Sequence, residues 1–281
     1  MKAFGARDPP TTRQKALTPT MLKDLQSVAK RWGIVTKHTG DLIEGAYFFA
    51  MRACEFSKVR AAGKTRPLTL GNIKFRNRSG RTLAHEREDL EEATEYVTVC
   101  FVDQKNGRRM DRRTQRRTGE AICPVRAWAR VCQRVRRTVP KASDTTQAFC
   151  VGNIEGSTAV IDSERIVQLL RLTCRIFGGR RGYGISESEM GSRSIRSGAA
   201  MALFLMDHSV EKIMILGRWS SDAFMVYIRP QVLEWTNIMA RDMAKVGSFH
   251  DLNAKKTRQP PHRDSGIIGD LKTFPRFYLR R

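Results

Sequence analysis

The residues that decide the fold run from Leu216 to Arg229 and read LGRWSSDAFMVYIR. Tyr227 lies nine residues after Arg218, and Trp219 follows that arginine directly. A tyrosine hydroxyl has an ordinary pKa of about 10, so it is a weak nucleophile at neutral pH unless positive charge or a base favours the phenolate. The chain carries 51 Lys and Arg against 28 Asp and Glu, and this excess supplies positive charge.

Three other segments place basic residues where packing alone does not call for them. Arg52 follows the apolar run YFFAM and precedes Glu55 by three residues. Lys105 comes shortly after the β-type run EYVTVCFV, at the expected tip of a hairpin. Arg193 and Arg196 open the segment RSIRSGA, which begins the most apolar helix that the sequence predicts. Working outward from Tyr227, these four segments are the candidates for one shared site.

Each basic residue also has an ordinary structural explanation. Arg52 and Glu55 could form an i,i+3 ion pair on a solvated helix face, and for these two residues alone both interpretations are equally good. Lys105 alone would be an exposed turn lysine. Arg196 is harder to explain structurally, because the helix dipole disfavours a cation near a helix N-terminus. The order of the segments, more than any single residue, favours a functional site.

Taken in order, the four segments resemble the tyrosine recombinases, or phage integrases, and more closely the integrase-like genes of eukaryotic mobile elements. The resemblance covers roughly residues 17 to 249. It implies an α+β fold, a mainly helical catalytic domain with a small antiparallel β-sheet. The implied activity is site-specific recombination or integration, in which DNA is broken and rejoined through a covalent 3′-phosphotyrosine.

The resemblance also implies a role for each motif residue. Tyr227 would be the nucleophile, and Lys105 would protonate the leaving 5′ oxygen. Arg52 and Arg196 would bind the scissile phosphate, and Glu55 would brace the site. Independently of the family, two fixed guanidiniums suit the charge that builds up on a phosphodiester under attack. We therefore expect neither a metal nor a cofactor.

Two positions depart from the family's pattern. Arg193 stands where the family usually has histidine, and Arg218 stands where it has histidine or tryptophan, with Trp219 one residue later. An arginine stays protonated at physiological pH, so Arg193 cannot act as a general base, although it can donate a hydrogen bond to a phosphate. We count both arginines among the catalytic candidates and expect Trp219 to shape the pocket by packing.

The overall charge indicates the class of partner. A net charge of +23 and a sequence pI of about 10.5 favour a polyanion, and the resemblance implies double-stranded DNA. The loop and strand that follow Lys105 are the densest basic run, which predicts contact with the phosphate backbone. Its arginines are Arg108, Arg109, Arg112, Arg113, Arg116 and Arg117.

Several other classes of protein are disfavoured. The apolar runs are shorter than the roughly 18 to 20 residues that span a bilayer, and the N-terminus has no signal-peptide core. We expect a nuclear protein, or a cytoplasmic one in a prokaryote, and not a secreted one. The six cysteines form no CxxC pair, which indicates reduced thiols rather than a metal site.

The periodicity of the sequence predicts three regions: a basic arm or linker remnant over 1–16, the catalytic domain over 17–249 and a basic, mostly disordered tail over 250–281. Within the domain it predicts a helix that begins at Pro19 and strands over 67–75 and 95–102. Further helices are predicted over 41–57, 124–135, 163–177, 194–206 and 231–246.

The resemblance implies a homo-oligomer, a tetramer on DNA if the enzyme is active. It also implies a separate N-terminal clamp domain. Only about sixteen residues precede the catalytic region, so we expect that domain to be missing, encoded elsewhere or lost in a truncated gene model. We favour an active enzyme. The alternative is a catalytically degenerate DNA-binding protein derived from a mobile-element recombinase, and an RNA-binding protein or a type IB topoisomerase are further rivals.

Overall fold

The computed structural model describes residues 14–60, 63–104, 107–153 and 156–219. The chain divides into two compact units, residues 1–199 and residues 200–281. Most of the described secondary structure belongs to the first unit, which holds six helices and two sheets in the part of it that the structure describes, together with the start of a seventh helix.

Helix α1, Pro19–Arg31, begins where the sequence predicts. The Thr18 hydroxyl accepts a hydrogen bond from the Met21 N–H at 3.2 Å, and Pro19 occupies the first helical position. Its apolar face is buried in the core. Residues 14–16, the described end of the predicted arm, are tied to this unit, because the Lys15 N–H donates to the Glu189 carbonyl at 2.9 Å.

The prediction of a single helix over 41–57 is wrong. The structure has α2, Ile34–Phe48, and then a separate short helix α3, Ala53–Phe56. The two part because Ala50 has a φ of 45°, in the left-handed region that ends a helix. The apolar pattern runs through the break because the turn itself is buried, and periodicity alone does not distinguish a buried turn from a buried helix.

A four-stranded antiparallel sheet follows, with strand order β2-β1-β3-β4. Its strands are β1 (Ile73–Arg76), β2 (Thr82–Leu83), β3 (Tyr96–Asp103) and β4 (Arg109–Arg116). The strand predicted over 95–102 and its hairpin are confirmed. The strand predicted over 67–75 begins only at Ile73, because Leu70–Asn72 form a 3₁₀ turn.

The rest of the described first unit before its last helix contains three α-helices and a second, two-stranded sheet. The elements are α4 (Leu90–Ala93), α5 (Pro124–Thr138), β5 (Cys150–Gly152), β6 (Thr158–Val160) and α6 (Ser163–Arg181). The starts predicted at Pro124 and Ser163 are confirmed, and both helices run past their predicted ends. The β5–β6 hairpin was not predicted, since strands of three residues are too short to show a period of two.

The core lies between α5, the sheet and a central α2. Helix α2 packs against α1, α5 and α6, while α5 also contacts β1, β3 and β4. Trp128 of α5 is fully buried. The inward side chains of the sheet are buried beside it, namely Ile73, Phe75, Val97, Val99 and Phe101.

A buried polar network ties α2 to α5. Asp41 accepts hydrogen bonds from Arg130 Nε at 2.8 Å and from Arg134 Nη2 at 2.7 Å. Arg134 Nη1 lies 3.2 Å from His38 Nδ1, and His38 Nε2 lies 2.8 Å from the Ala148 carbonyl oxygen. An arginine can only donate and a carbonyl can only accept, so this arrangement suits a neutral His38 with its proton on Nε2.

Helix α7, Arg193–Leu205, begins in the first unit and continues into the second. Its start one residue before the predicted Ser194 lies within the ordinary uncertainty of a helix boundary. The second unit also contains α8, Val210–Gly217, capped by Ser209. The helix predicted over 231–246 and the tail predicted over 250–281 lie outside the described residues. Among the described helices, none combines the length and apolarity that crossing a bilayer requires.

The α+β class is confirmed: the described elements are mainly helical, with a small antiparallel sheet.

Candidate functional site

The turn after α2 leads into one predicted site residue, Arg52, and accepts a hydrogen bond from another, Arg196. The Ala50 N–H donates to the Tyr47 carbonyl and the Met51 N–H donates to the Ala46 carbonyl, both at 3.0 Å. This is the Schellman pattern, with alanine in the left-handed position that glycine usually occupies. The Ala50 carbonyl is left to accept from Arg196, whose Nη1 lies 2.5 Å from it. The buried guanidinium of Arg196 thereby reaches the turn that carries Arg52.

Arg52 is held by Glu55. It caps the N-terminus of α3, where Glu55 Oε2 accepts from the Arg52 N–H at 2.8 Å and Glu55 Oε1 lies 3.1 Å from Arg52 Nη1. The Glu55 side chain is 1% exposed and that of Arg52 is 24% exposed. The i,i+3 ion pair therefore exists, but it is not on a solvated face. A buried carboxylate holds a partly open guanidinium.

The start of α7 is pinned to the chain that leads into α1. The Leu17 N–H donates to the Ser194 carbonyl at 2.9 Å, and a Cβ on Gly198 would lie 2.1 Å from the Leu17 carbonyl oxygen. Only glycine allows this approach without a shift of one backbone. Gly198 therefore fixes how closely α7 packs against the Leu17 backbone, and with it the position of Arg196. A glycine inside an apolar helix was the available sequence signal for this contact.

Arg193 differs from Arg196 in its surroundings. It is exposed at the first position of α7, and its backbone N–H donates to Gln14 Oε1 at 2.9 Å. Arg196 is 5% exposed. An exposed guanidinium remains open to a bound anion, whereas the buried one is held in a fixed position.

The second unit contains Arg218 and Trp219. Arg218 is fully buried, ends α8 with a φ of 58° and donates through Nη1 to the Leu216 carbonyl at 3.3 Å. The Trp219 ring lies against Gly217, where an added Cβ would be 1.6 Å from Trp219 Cζ3. Gly217 is thus a packing requirement, because the absence of a Cβ makes room for the indole.

Two predicted catalytic residues, Lys105 and Tyr227, lie outside the described residues. The described ends of the β3–β4 connection are joined, since the Gln104 N–H donates to the Arg108 carbonyl at 3.1 Å. Their predicted roles remain predictions.

The structure distributes the six arginines of the basic run over different surroundings. Arg113 is directed inward with Asp111, while Arg109 forms an ion pair with Asp103 at 3.2 Å. Arg117 Nε donates to the Thr94 carbonyl at 2.8 Å. The side chains of Arg108, Arg112 and Arg116 are exposed. These contacts give the run structural as well as potential binding roles.

Among the described residues, no group of three His, Cys, Asp or Glu side chains is placed to hold a metal ion. All six cysteines are free, and four of them are buried.

Comparison with known proteins gives a structural likeness only. No family model matches the sequence, and no curated protein sequence matches it. Among solved structures, XerH site-specific recombinase bound to palindromic difH substrate, a post-cleavage complex, is similar with a TM-score of 0.50 and 14% identity over 81% of this chain and 53% of that chain.

Two further structures are similar. XerH bound to difH substrate in a pre-cleavage complex has a TM-score of 0.47 and 15% identity over 76% of this chain and 50% of that chain. The Tn1549 transposon integrase in complex with transposon right end DNA has a TM-score of 0.45 and 12% identity over 78% of this chain and 63% of that chain. The chain thus spans only about half to two thirds of these proteins' lengths.

Proposed function

We propose, from the premise that this chain has the tyrosine-recombinase fold, that it breaks and rejoins double-stranded DNA through a covalent bond between Tyr227 and a 3′ phosphate. The observation that carries the proposal is the bond from Arg196 Nη1 to the Ala50 carbonyl at 2.5 Å, two residues before Arg52. It brings guanidinium-bearing residues from two distant segments to one turn. The post-cleavage XerH complex with its difH substrate adds support for recombination chemistry.

In this proposal both arginines bind the same phosphate, and each contributes in a different way. Arg196 is buried and anchored on a backbone carbonyl, so its position is set before any ligand arrives. The Arg52 side chain is 24% exposed, while its Nη1 is bound to Glu55 Oε1. Preorganised donors of this kind stabilise developing negative charge without reorganising during the reaction. Guanidiniums also match phosphate oxygens in a planar, bidentate geometry.

In the proposed step, the Tyr227 phenolic oxygen forms a bond to the scissile phosphorus while the bond from phosphorus to the 5′ oxygen breaks. Lys105 gives a proton to the departing 5′ oxygen, and the phenolic proton passes to solvent water. Rejoining is the reverse: a 5′ hydroxyl attacks the phosphotyrosine and Tyr227 leaves. The arginines hold the added charge in both directions.

The test is to trap the covalent adduct. The probe is a pool of end-labelled, nicked duplexes of randomised sequence, in which cleavage near the nick releases a short strand and prevents rejoining. We expect the full chain to give an adduct that survives denaturing electrophoresis. Tyr227→Phe should abolish it and Arg196→Gln should lower it strongly, whereas the exposed Arg137→Gln serves as a control of equal charge loss.

A second candidate is a catalytically degenerate DNA-binding protein. The observation that favours it is Arg218, which stands where the family has histidine or tryptophan and is fully buried on a backbone carbonyl. Duplex binding with no adduct from the unmodified chain would establish this alternative. If adducts form, we propose further that the active species is a homotetramer on DNA, which light scattering of the complex would measure.

A further inference from the structure

The face of the four-stranded sheet that points away from the core is basic. Side chains alternate between the two faces of a strand, and the inward positions are filled by the buried residues of β1 and β3. The positions between them, together with those directly opposite on β4, make up what we call the outer face. Its charged residues are Lys74, Arg76, Arg112 and Arg116.

Among the described residues, none of the outer-face strand positions carries an acid. The register places Asp111 opposite Phe101, on the inward side, where it pairs with Arg113. Glu95, which precedes β3, binds Arg116 through Arg116 Nε at 2.6 Å. By contrast, the other three outer-face cations are exposed and form no ion pair with any carboxylate of the described residues. Positive charge on the outer face is therefore largely uncompensated.

The register also gives the spacing of these cations. Arg76, Tyr96 and Arg116 stand side by side across three strands, and Lys74 lies in the next row, opposite Thr98. Neighbouring strands lie about 4.8 Å apart and same-face rows about 6.8 Å apart. Arg112 lies two rows from Arg116, so the array measures roughly 10 by 14 Å. Since a duplex rises by about 3.4 Å per base-pair step, the long side of the array matches roughly four steps of the duplex.

We propose that the outer face binds the phosphate backbone of double-stranded DNA, away from the turn that holds Arg52 and Arg196. That turn lies on the other side of the sheet: Gln115, on the inward side of β4, donates through Nε2 to the Phe48 carbonyl at 2.8 Å, at the end of α2. One duplex contact at the turn and another on the outer face would thus approach the sheet from opposite sides.

The chemistry of the outer face favours a duplex over single strands. Binding of single strands relies on aromatic rings that stack on bases. The one aromatic ring of the outer face, Tyr96, has the Arg116 guanidinium over it, 6.0 Å from the ring centre. The Thr98 and Thr114 hydroxyls bond to each other at 2.8 Å. The face therefore presents cations suited to phosphates, while its described residues offer no open aromatic ring on which bases could stack.

This inference rests on the proposed function only in taking duplex DNA as the polyanion, since it requires no strand cleavage. The experiment compares two variants of the full chain that each lose one lysine and two arginines. The outer-face variant combines Lys74→Gln, Arg76→Gln and Arg112→Gln. The control combines Lys23→Gln, Arg137→Gln and Arg165→Gln, which are exposed and lie outside the sheet.

Affinity for an intact duplex of random sequence is measured over a series of salt concentrations. We expect the slope of log affinity against log salt to be smaller by roughly 2 to 3 in the outer-face variant, since each lost phosphate contact removes about 0.9. The control should keep the slope of the unmodified chain. Arg76→Gln and Arg112→Gln are also measured singly, each with a loss of about 0.9, in case the combined variant does not fold.

Equal slopes for the outer-face variant and the control would overturn the proposal. A larger loss of binding to single-stranded RNA, or to phosphatidylserine vesicles, than to duplex DNA would overturn it in favour of that occupant. The result is separable from strand cleavage, because the salt slopes are measured on an intact duplex and need no covalent adduct. The salt slopes decide the matter even if no adduct forms at all.

Discussion

Arg196 and Ala50 are joined by a hydrogen bond from the buried guanidinium to a backbone carbonyl, with 2.5 Å between Nη1 and the oxygen. The carbonyl is free to accept because Ala50, with a φ of 45°, has already left the helix. A strained residue in a buried turn thus positions a charged side chain from α7. Local strain of this kind persists only where the surrounding structure determines it.

The first prediction concerns this strain. In Ala50→Gly the left-handed conformation costs nothing, which offsets the lost burial of a methyl group, so the free energy of unfolding should stay within about 1 kcal/mol of the original. In Ala50→Val the branched side chain resists a positive φ, and the loss should exceed about 2 kcal/mol. Urea unfolding measures both. A valine variant as stable as the original chain would show that the turn is not constrained.

The second prediction concerns the brace on Arg52. Glu55→Gln keeps an oxygen that can accept from the Arg52 N–H but removes the charge that holds the guanidinium. We expect a folded protein that traps less covalent adduct. Glu55→Ala removes the cap as well and should lower the free energy of unfolding by about 1 to 2 kcal/mol. An undiminished adduct yield in Glu55→Gln would remove Glu55 from the proposed site.

The third prediction uses two helical glycines. Gly198→Ala would bring a methyl group within 2.1 Å of the Leu17 carbonyl oxygen, so α7 must shift, and we expect a loss of at least about 2 kcal/mol and a lower adduct yield. Gly178→Ala in α6 meets nothing within 4 Å and should stabilise the protein by about 0.5 to 1 kcal/mol. Equal effects of the two substitutions in thermal unfolding would contradict the close approach.

The fourth prediction concerns pH, because two groups of α2 titrate in opposite senses. Burial, aided by the nearby Arg134, lowers the pKa of His38 to about 3 from 6.5. Its contribution to stability is present above pH 6.5 and is lost as the pH falls toward 3. Burial raises the pKa of Glu44 to about 7 from 4.5, against the opposing effect of its bond from the Cys123 N–H. Its contribution is present below pH 4.5 and is lost as the pH rises toward 7.

The two contributions therefore largely cancel between pH 4.5 and 6.5. When one of the two groups is removed, the pH dependence that the other gives to the stability becomes measurable. His38→Gln should become more stable as the pH falls from about 7 to about 5, by up to about 1.4 kcal/mol per unit. Glu44→Gln should lose stability over the same range more steeply than the original chain. Urea unfolding at a series of pH values measures the slopes, and slopes of the same sign for the two variants would refute the opposition.

Local patterns were sufficient wherever neighbours in sequence determine the structure. Thr18 and Pro19 mark the start of α1, because a cap depends on residues within one turn. The alternation in β3 predicts the strand and its hairpin in the same way. The i,i+3 spacing allows an ion pair between Arg52 and Glu55, and the structure contains it, while the role of Glu55 in the site stays a prediction.

The sequence by itself determined the starts of α1, α5 and α6, the strand β3, the positive charge and the motif residues, since periodicity, capping and composition are properties of short stretches. Tertiary structure alone decided the break at Ala50, the bond from Arg196 to that turn and the close approach of Leu17 to Gly198. It also decided which cations of β4 share a face with those of β1. These features join residues far apart in the chain, and no local pattern encodes the distance between them.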